Sequence, residues 1–392
     1  MADLRPAILG GTPLATSPIR LVRPVLPEFA TLAADVEQTL ISGMVTKGQH
    51  LVAFEQAVAA HLGVAHAIAV SSCTTGLALV YRALGLNGPV IVPSFTFMAT
   101  VSALIWAGAT PRFVEIDPTT TNIDLDAVRA ALTPDVQAIV AVHNFGNPAA
   151  IAELEAIAAD AGIPLIFDAA HGFGAQYDGR PVGGFGTAEC FSLSPTKLLI
   201  AGEGGIVATN NDELAHKIRT GREYGNDGKY GSDWAGLNAR MAEYNAIMGR
   251  YSLEQLEQAA RQRNQYAALY WAALFATPGI DFQKVRPNDR CSYKDYSITI
   301  EASEFGISRD LLSKALAAEG IDSRAYYDPP VHRHAAYAQF APTEGSLPKT
   351  DWLAQSSLSL PIHSEMEFST IETVCAAIKR IQLFGEEIIA KQ

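Results

Sequence analysis

The chain has 392 residues, 48% of them hydrophobic and 18% charged, enough for two domains at roughly 100–200 residues each. Its 29 basic and 41 acidic side chains give a net charge of −12, and no lysine- or arginine-rich run occurs, which disfavours a nucleic-acid partner. No stretch reaches the roughly 20 apolar residues of a membrane helix, and the first residues lack a basic start followed by an apolar block, so a cytoplasmic protein without a membrane partner is expected.

From residue 64 onward, short apolar runs alternate with helical segments such as TTGLALVYRALG and IAELEAIAADAG. The runs are AHAIAVS, PVIVPS, TPRFVEID, VQAIVAVHN, IPLIFDAA and ECFSLS. This alternation predicts parallel strands joined by helical crossovers, and the nearly continuous apolar character predicts a sheet covered on both faces. After Asn210, the polar, glycine-containing GREYGNDGKYGSDWAGLN predicts a loop, and a long helix is expected from about Arg240 to Phe275. Further on, YKDYSITIE predicts a strand, ISRDLLSKALAAEG a helix with a serine N-cap, and ETVCAAIKRIQLFGEEII a terminal helix. The expected division is a large α/β domain over residues 1–250 and a smaller α+β domain over 251–392, with a helix spanning the boundary.

Four cysteines, at positions 73, 190, 291 and 375, lie too far apart for paired zinc-ligand spacing and are too few for a disulfide scaffold. Reduced thiols and no metal are expected.

In a parallel sheet, ligands bind beyond the carboxyl ends of the strands, so the residues just after each apolar run carry the chemistry. After AIAVS stands Ser71-Ser72-Cys73-Thr74-Thr75-Gly76, directly before a helix. Small hydroxylated residues there suit a phosphate at the helix N-terminus, or they serve only as a helix cap. After PLIF comes Asp168, with His171 three residues on. An aspartate at that place either partners a protonated ring nitrogen or bonds loop backbone. After ECFSLS comes Pro195-Thr196-Lys197, and a lysine in that crevice can form a Schiff base. Phe95 and Phe97, in PSFTF, follow another strand, and each either covers a flat cofactor or fills the core. A phosphate cup, a strand-end carboxylate and a strand-end lysine together match what pyridoxal phosphate requires.

With these residues in view, the chain resembles the DegT/StrS group of pyridoxal-phosphate aminotransferases over nearly its whole length. The resemblance is carried by MVTKGQHLVAFEQAVAAHLGVAHAIAVSSCTTGLAL, by DAAHGFGA, by SLSPTKLLIAGEGG, by GLNARM and by AYYDPPVH. It implies the fold-type-I α/β architecture, with a mostly parallel seven-stranded sheet flanked by helices and a smaller C-terminal α+β domain. It implies pyridoxal 5'-phosphate as cofactor, pyridoxamine 5'-phosphate as its amino-carrying form, and Lys197 as the Schiff-base lysine. Asp168 is implied as partner of the ring nitrogen, His171 as neighbour of the ring hydroxyl and Phe97 as the stacking aromatic. Cys73, Thr74 and Ser192 are implied at the phosphate, Cys73 standing where relatives have glycine. Asn238 and Arg240 are implied as contributions to the neighbouring subunit's site in a homodimer, and Tyr326 and His332 as residues near the substrate.

The activity so implied is ping-pong transamination from L-glutamate to a nucleotide-linked keto sugar, foremost a 4-keto-6-deoxyhexose. The loop Gly221–Gly236 is expected to share in choosing it. Amination of an inositol or aminohydroxybenzoate type of cyclic ketone stays open, as does a non-catalytic regulator that binds the cofactor.

Overall fold

The computed structural model describes residues 5–391, except Asp227 and Lys229, which fall in the expected loop and lie outside the described residues. Seven strands form the central sheet: β1 (His66–Val70), β2 (Pro89–Pro93), β3 (Thr110–Val114), β4 (Ala138–Val142), β5 (Leu165–Asp168), β8 (Ala188–Ser192) and β9 (Gly205–Thr209). The hairpin strands β6 (Gln176–Tyr177) and β7 (Arg180–Pro181) lie between them in sequence. Sheet order is β1-β9-β8-β5-β4-β2-β3; β9 alone runs antiparallel to its neighbours. The six apolar runs supply the other six strands, and β9 arises from the glycine-containing stretch after Lys197. The sheet is buried on both faces, as continuous apolar runs require, with Val90, Ile91, Val92, Ile139 and Val140 inaccessible to solvent.

Helices α1 (Phe29–Ser42) and α2 (Gln49–Leu62) precede the sheet; α3 (Cys73–Ala83), α4 (Met98–Ala107), α5 (Leu125–Ala131), α6 (Ile151–Ala161) and α7 (Asp212–Gly221) connect its strands or follow it. The long helix expected from about residue 240 is α8 (Glu243–Leu274). Its first side chain also starts another helix: the Glu243 carboxylate accepts from the amides of Gly48, His50 and Leu51 at 2.9–3.0 Å.

A three-stranded antiparallel sheet follows, β10 (Ile280–Phe282), β11 (Tyr296–Ile300) and β12 (Ser357–Leu360). With it come α9 (Ala302–Phe305), α10 (Arg309–Ala318), α11 (Pro348–Ser356), α12 (Phe368–Leu383) and α13 (Gly385–Ala390). Ser308 caps α10, its hydroxyl accepting from the Leu311 amide, as its sequence predicts. The single terminal helix expected from ETVCAAIKRIQLFGEEII is two, broken at Phe384 (φ −113°, ψ 19°), after which Gly385 opens α13.

Helix α8 is shared by two cores. Ala246, Leu256 and Ala260 pack with α2, β9 and the residues after β8, whereas Tyr266, Tyr270 and Leu274 pack with β10–β12 and α12. The expected boundary at residue 250 therefore falls inside this helix. Leu9, Leu14 and Ile19, near the N-terminus, also pack on the second core. Among the described residues, no helix is long and apolar enough to cross a membrane.

Candidate active site

The site lies where β1, β5 and β8 end. In register, Asp168 sits between Val142 on β4 and Cys190 on β8, and two residues further along β8 Ser192 faces Gly205 of β9, which in turn faces Val70 of β1. The ladder thus sets a carboxylate on β5 and a glycine on β9, with β8 between them.

At the glycine end, α3 begins. The Ser72 hydroxyl accepts from the Thr75 amide at 3.1 Å, and the Gly76 amide bonds the Ser72 carbonyl at 3.0 Å. A helix leaves its first four amides without internal acceptors, so those of Cys73 and Thr74 remain for a ligand. The cap and the anion cup are the same structure: side chain for one, backbone for the other. A Cβ on Gly205 would lie 2.5 Å from the Ser72 carbonyl carbon and 2.6 Å from the Cys73 nitrogen, so only glycine lets β9 pass beneath this turn. The same register brings Ser192 to the cup. The Cys73 side chain turns away from it, with Sγ 3.3 Å from the Cys190 carbonyl oxygen and 3.9 Å from Asp168 Oδ1.

At the carboxylate end, Asp168 is buried. Its Oδ2 accepts from the Thr100 hydroxyl at 2.6 Å and its Oδ1 from the Ala170 amide at 3.0 Å, while Thr96 Oγ1 is 3.0 Å from Thr100 Oγ1. Among the described residues no cation lies within salt-bridge distance of Asp168. Burial raises its pKa from the ordinary carboxylate value, against the pull of the Thr100 hydroxyl and the Ala170 amide. Thr96 and Thr100 escaped sequence reading because threonines at a helix start look like ordinary caps.

Lys197 follows β8, its amide bonded to the Ser194 carbonyl at 3.0 Å. Burial brings its pKa down to about 8; Lys294 pushes the same way, while Asp295, Cys73 and Asp168 pull back. His171 Nδ1 is buried with no hydrogen-bond partner, and burial, then Lys197 and Lys294, hold its pKa well below the ordinary imidazole value. The Lys294–Asp295 pair was not singled out in the sequence, where KDY reads as the polar start of a strand. It is buried, with Lys294 Nζ 2.9 and 3.0 Å from the two Asp295 oxygens. Its segment is tied to the large domain: the Lys294 amide donates to the Phe145 carbonyl at 3.0 Å and the Ser292 hydroxyl to the His171 carbonyl at 2.7 Å.

The two candidate stacking aromatics part company. Phe95 is 0% exposed and packs edge-on against Phe145 and Tyr327, a core role, whereas Phe97 is 51% exposed and lines a cleft of about 420 Å³. Tyr326 lines the same cleft; His332 does not. His332 Nδ1 lies 2.7 Å from the Ser94 hydroxyl and Nε2 3.4 Å from Asp351, which locks it between the end of β2 and α11, and His334 lines the cleft instead. Asn238 and Arg240 are not brought into this chain's cup. Asn238 is exposed, and Arg240 pairs with Glu223 at 3.1 Å, although the intervening Ala239 carbonyl accepts from the Ser71 amide at 2.8 Å.

These features fit pyridoxal phosphate: open amides for its phosphate, an unpaired buried carboxylate for its ring nitrogen, an orphaned imidazole nitrogen and an amine with a lowered pKa. Residues 29–379 match the DegT/DnrJ/EryC1/StrS aminotransferase family. The chain is 37% identical over 338 residues to a dTDP-3-amino-3,4,6-trideoxy-alpha-D-glucose transaminase of Streptomyces venezuelae, covering 85% of this chain and 87% of that one. It is also 37% identical over 331 residues to a UDP-N-acetyl-3-dehydro-alpha-D-glucosamine 3-aminotransferase of Acidithiobacillus ferrooxidans, covering 84% and 87%. The crystal structure of DesI in the presence of its TDP-sugar product superposes with a TM-score of 0.92 at 37% identity, over 100% of this chain and 99% of that one. The chain belongs to the DegT/DnrJ/EryC1/StrS aminotransferase family.

Proposed function

We propose that this protein moves the amino group of L-glutamate to a ketone of a nucleotide-linked sugar, in two half-reactions at one pyridoxal-phosphate site, as a homodimer. The observation that carries the reading is the placing of Asp168 at the end of β5 and of Lys197 in the turn after the adjacent β8, with the amides of Cys73 and Thr74 open at the start of α3. When bound, pyridoxal phosphate supplies the electron sink that makes the carbon bearing the amine acidic.

This chain's residues do the rest. The amides of Cys73 and Thr74, with the Ser192 hydroxyl, hold the phosphate; Phe97 covers the ring; and His171, uncharged in its buried place, sits by the ring hydroxyl. The Asp168 carboxylate keeps the ring nitrogen protonated, and the Thr100 hydroxyl keeps that carboxylate oriented. Lys197, whose lowered pKa leaves a useful share of neutral amine near pH 8, takes the proton from the donor's α-carbon. In the second half-reaction it delivers a proton to the acceptor carbon that becomes the amine-bearing centre. Asn238 and Arg240 are assigned to the neighbouring subunit's site.

Relatives named for dTDP- and UDP-linked sugars support the nucleotide-linked class of acceptor. The 4-keto-6-deoxyhexose expected from the sequence is the first acceptor to test, and names recording amination at C3 put 3-keto sugars beside it. The test supplies the protein with pyridoxal phosphate, L-glutamate and a panel of dTDP- and UDP-linked 3- and 4-keto sugars. Formation of an amino sugar and 2-oxoglutarate, read by mass spectrometry, is expected. No amine on any nucleotide sugar, together with amination of an inositol-type ketone, would overturn it.

A further inference from the structure

Helix α8 carries three arginines, and two of them pair with carboxylates: Arg250 with Asp35 at 2.8 Å and Arg261 with Glu257 at 3.4 Å. Arg263 is 2% exposed, and among the described residues no carboxylate lies within salt-bridge distance of it. Its Nε donates to the Ser364 hydroxyl at 3.1 Å, and its Nη1 to the carbonyls of Tyr293 and Lys294 at 2.9 and 3.1 Å. The imidazole beside it, His363, stays uncharged, its pKa brought down to about 4 by burial and then by Arg263 and Arg23. A buried guanidinium without an anion against it is costly, so what keeps one here is its rigid fork of donors.

The two carbonyls belong to a strap, residues 291–295, that leads into β11. Asn264, the next residue on α8, donates to the Cys291 carbonyl at 2.9 Å. On the side of the large domain the Ser292 amide donates to the Gly146 carbonyl at 3.0 Å, beside the bonds to Phe145 and His171 already described. A Cβ on Gly146 would lie 1.9 Å from Ser292 Oγ, so the strap presses directly on that turn. At the centre of the strap Tyr293 has a φ of 46°, a left-handed conformation that a residue with a side chain keeps only where its surroundings fix it. Arg263 supplies the fixing, since it bonds the carbonyl of Tyr293 and that of the residue after it.

The strap carries the Lys294–Asp295 pair to the site. Lys197 is within electrostatic reach of Lys294, Asp295, Cys73 and Asp168, and His171 within reach of Lys197 and Lys294. At Lys197 the ammonium of Lys294 outweighs the carboxylate of Asp295, so the pair as placed favours the neutral amine. We infer that Arg263 is a positioning residue of the active site: its guanidinium, anchored on Ser364, holds the carbonyls of Tyr293 and Lys294 and so sets where the Lys294–Asp295 pair stands relative to Lys197. This rests on the reading that Lys197 is the residue that takes up pyridoxal phosphate. It gives α8, which runs through both cores, a direct hold on the chemistry of the site.

The test follows the rate at which the cofactor-free full-length protein captures pyridoxal phosphate, read by near-visible absorption as a function of pH. It compares the unaltered protein with Arg263→Met, Arg263→Lys and Ser364→Ala, and records the melting temperature of each. Arg263→Met is expected to move the midpoint of the capture profile to higher pH, so that capture slows by about threefold or more at neutral pH and recovers in alkaline solution. Arg263→Lys, which keeps a donor for the carbonyls, should restore part of the shift. Ser364→Ala should give a smaller shift in the same direction at a melting temperature close to that of the unaltered protein, and these two variants decide the matter where Arg263→Met does not fold. Midpoints that stay at the unaltered pH in every variant that folds, whatever the melting temperatures, would overturn the inference and leave the proposed function standing, with Arg263 serving the fold alone. So would midpoints that move to lower pH. An unaltered protein that captures no pyridoxal phosphate at any pH would sink the proposed function itself, and the inference with it.

Discussion

The floor and the wall of the site are built from different material. Asp168, Ser192 and Gly205 stand on ladder positions of a sheet buried on both faces, and Cys73 and Lys197 follow within a few residues of a strand end. Lys294, Asp295, Arg324 and Tyr326 come from the residues just before β11 and from turns around the smaller sheet, pinned by backbone hydrogen bonds to Phe145 and Ser359. The difference separates two tasks. Proton transfer needs groups fixed to within fractions of an ångström, which a ladder provides; selecting among acceptors needs groups that vary without disturbing that ladder.

The first way to break the comparison is at the floor. Lys197→Ala is expected to lower amino transfer by about 10³-fold or more, since the proton acceptor is gone, while the melting temperature stays close to that of the unaltered protein. At the wall, Lys294→Met strands a buried Asp295 carboxylate and should destabilise the fold by about 3–5 kcal/mol in urea titration. Lys294→Met with Asp295→Leu should recover most of that loss, because burying the pair contributes little stability of its own.

Smaller effects sharpen the picture of the floor. Thr100→Val removes a hydrogen bond to a charged oxygen, worth about 1.5–3 kcal/mol, and should lower kcat by about tenfold or more with KM for glutamate less affected. Gly205→Val drives a side chain into the backbone of Ser72 and Cys73, an overpacking that costs about 1–3 kcal/mol and should weaken pyridoxal phosphate binding by about tenfold in equilibrium dialysis. The smallest effect is a titration. Because Lys197 has a pKa of about 8, capture of pyridoxal phosphate by the cofactor-free protein should quicken as pH rises through 8. Asp295→Asn removes an anion that pulls this value up, so the midpoint should move to lower pH.

Legibility in the sequence follows the same division. Asp168 and Lys197 could be read because apolar runs mark strand ends and a charged residue just past one must be solvated or used. The direction of the Cys73 thiol could not be read, since it depends on the packing of α3 over β8, and neither could the Thr100 hydroxyl bond across to β5. The resemblance of YYDPPVH to the family's small-domain segment implies His332 near the substrate. The chain turns after Pro330, and the His332 imidazole is held by Ser94 and Asp351, contacts that the sequence does not reveal. Lys294 and Asp295 left no signal, because a charged pair at a strand start has the same pattern whether it faces water or a buried site.

The most direct test of the central claim is the near-visible absorption of the protein with pyridoxal phosphate, recorded alone, after L-glutamate and after a nucleotide keto sugar. A band that vanishes with glutamate and returns with one sugar, and that is absent from Lys197→Ala, is the predicted result. A protein that gives no such band, or a Lys197→Ala variant that transfers amine at the unaltered rate, would contradict it.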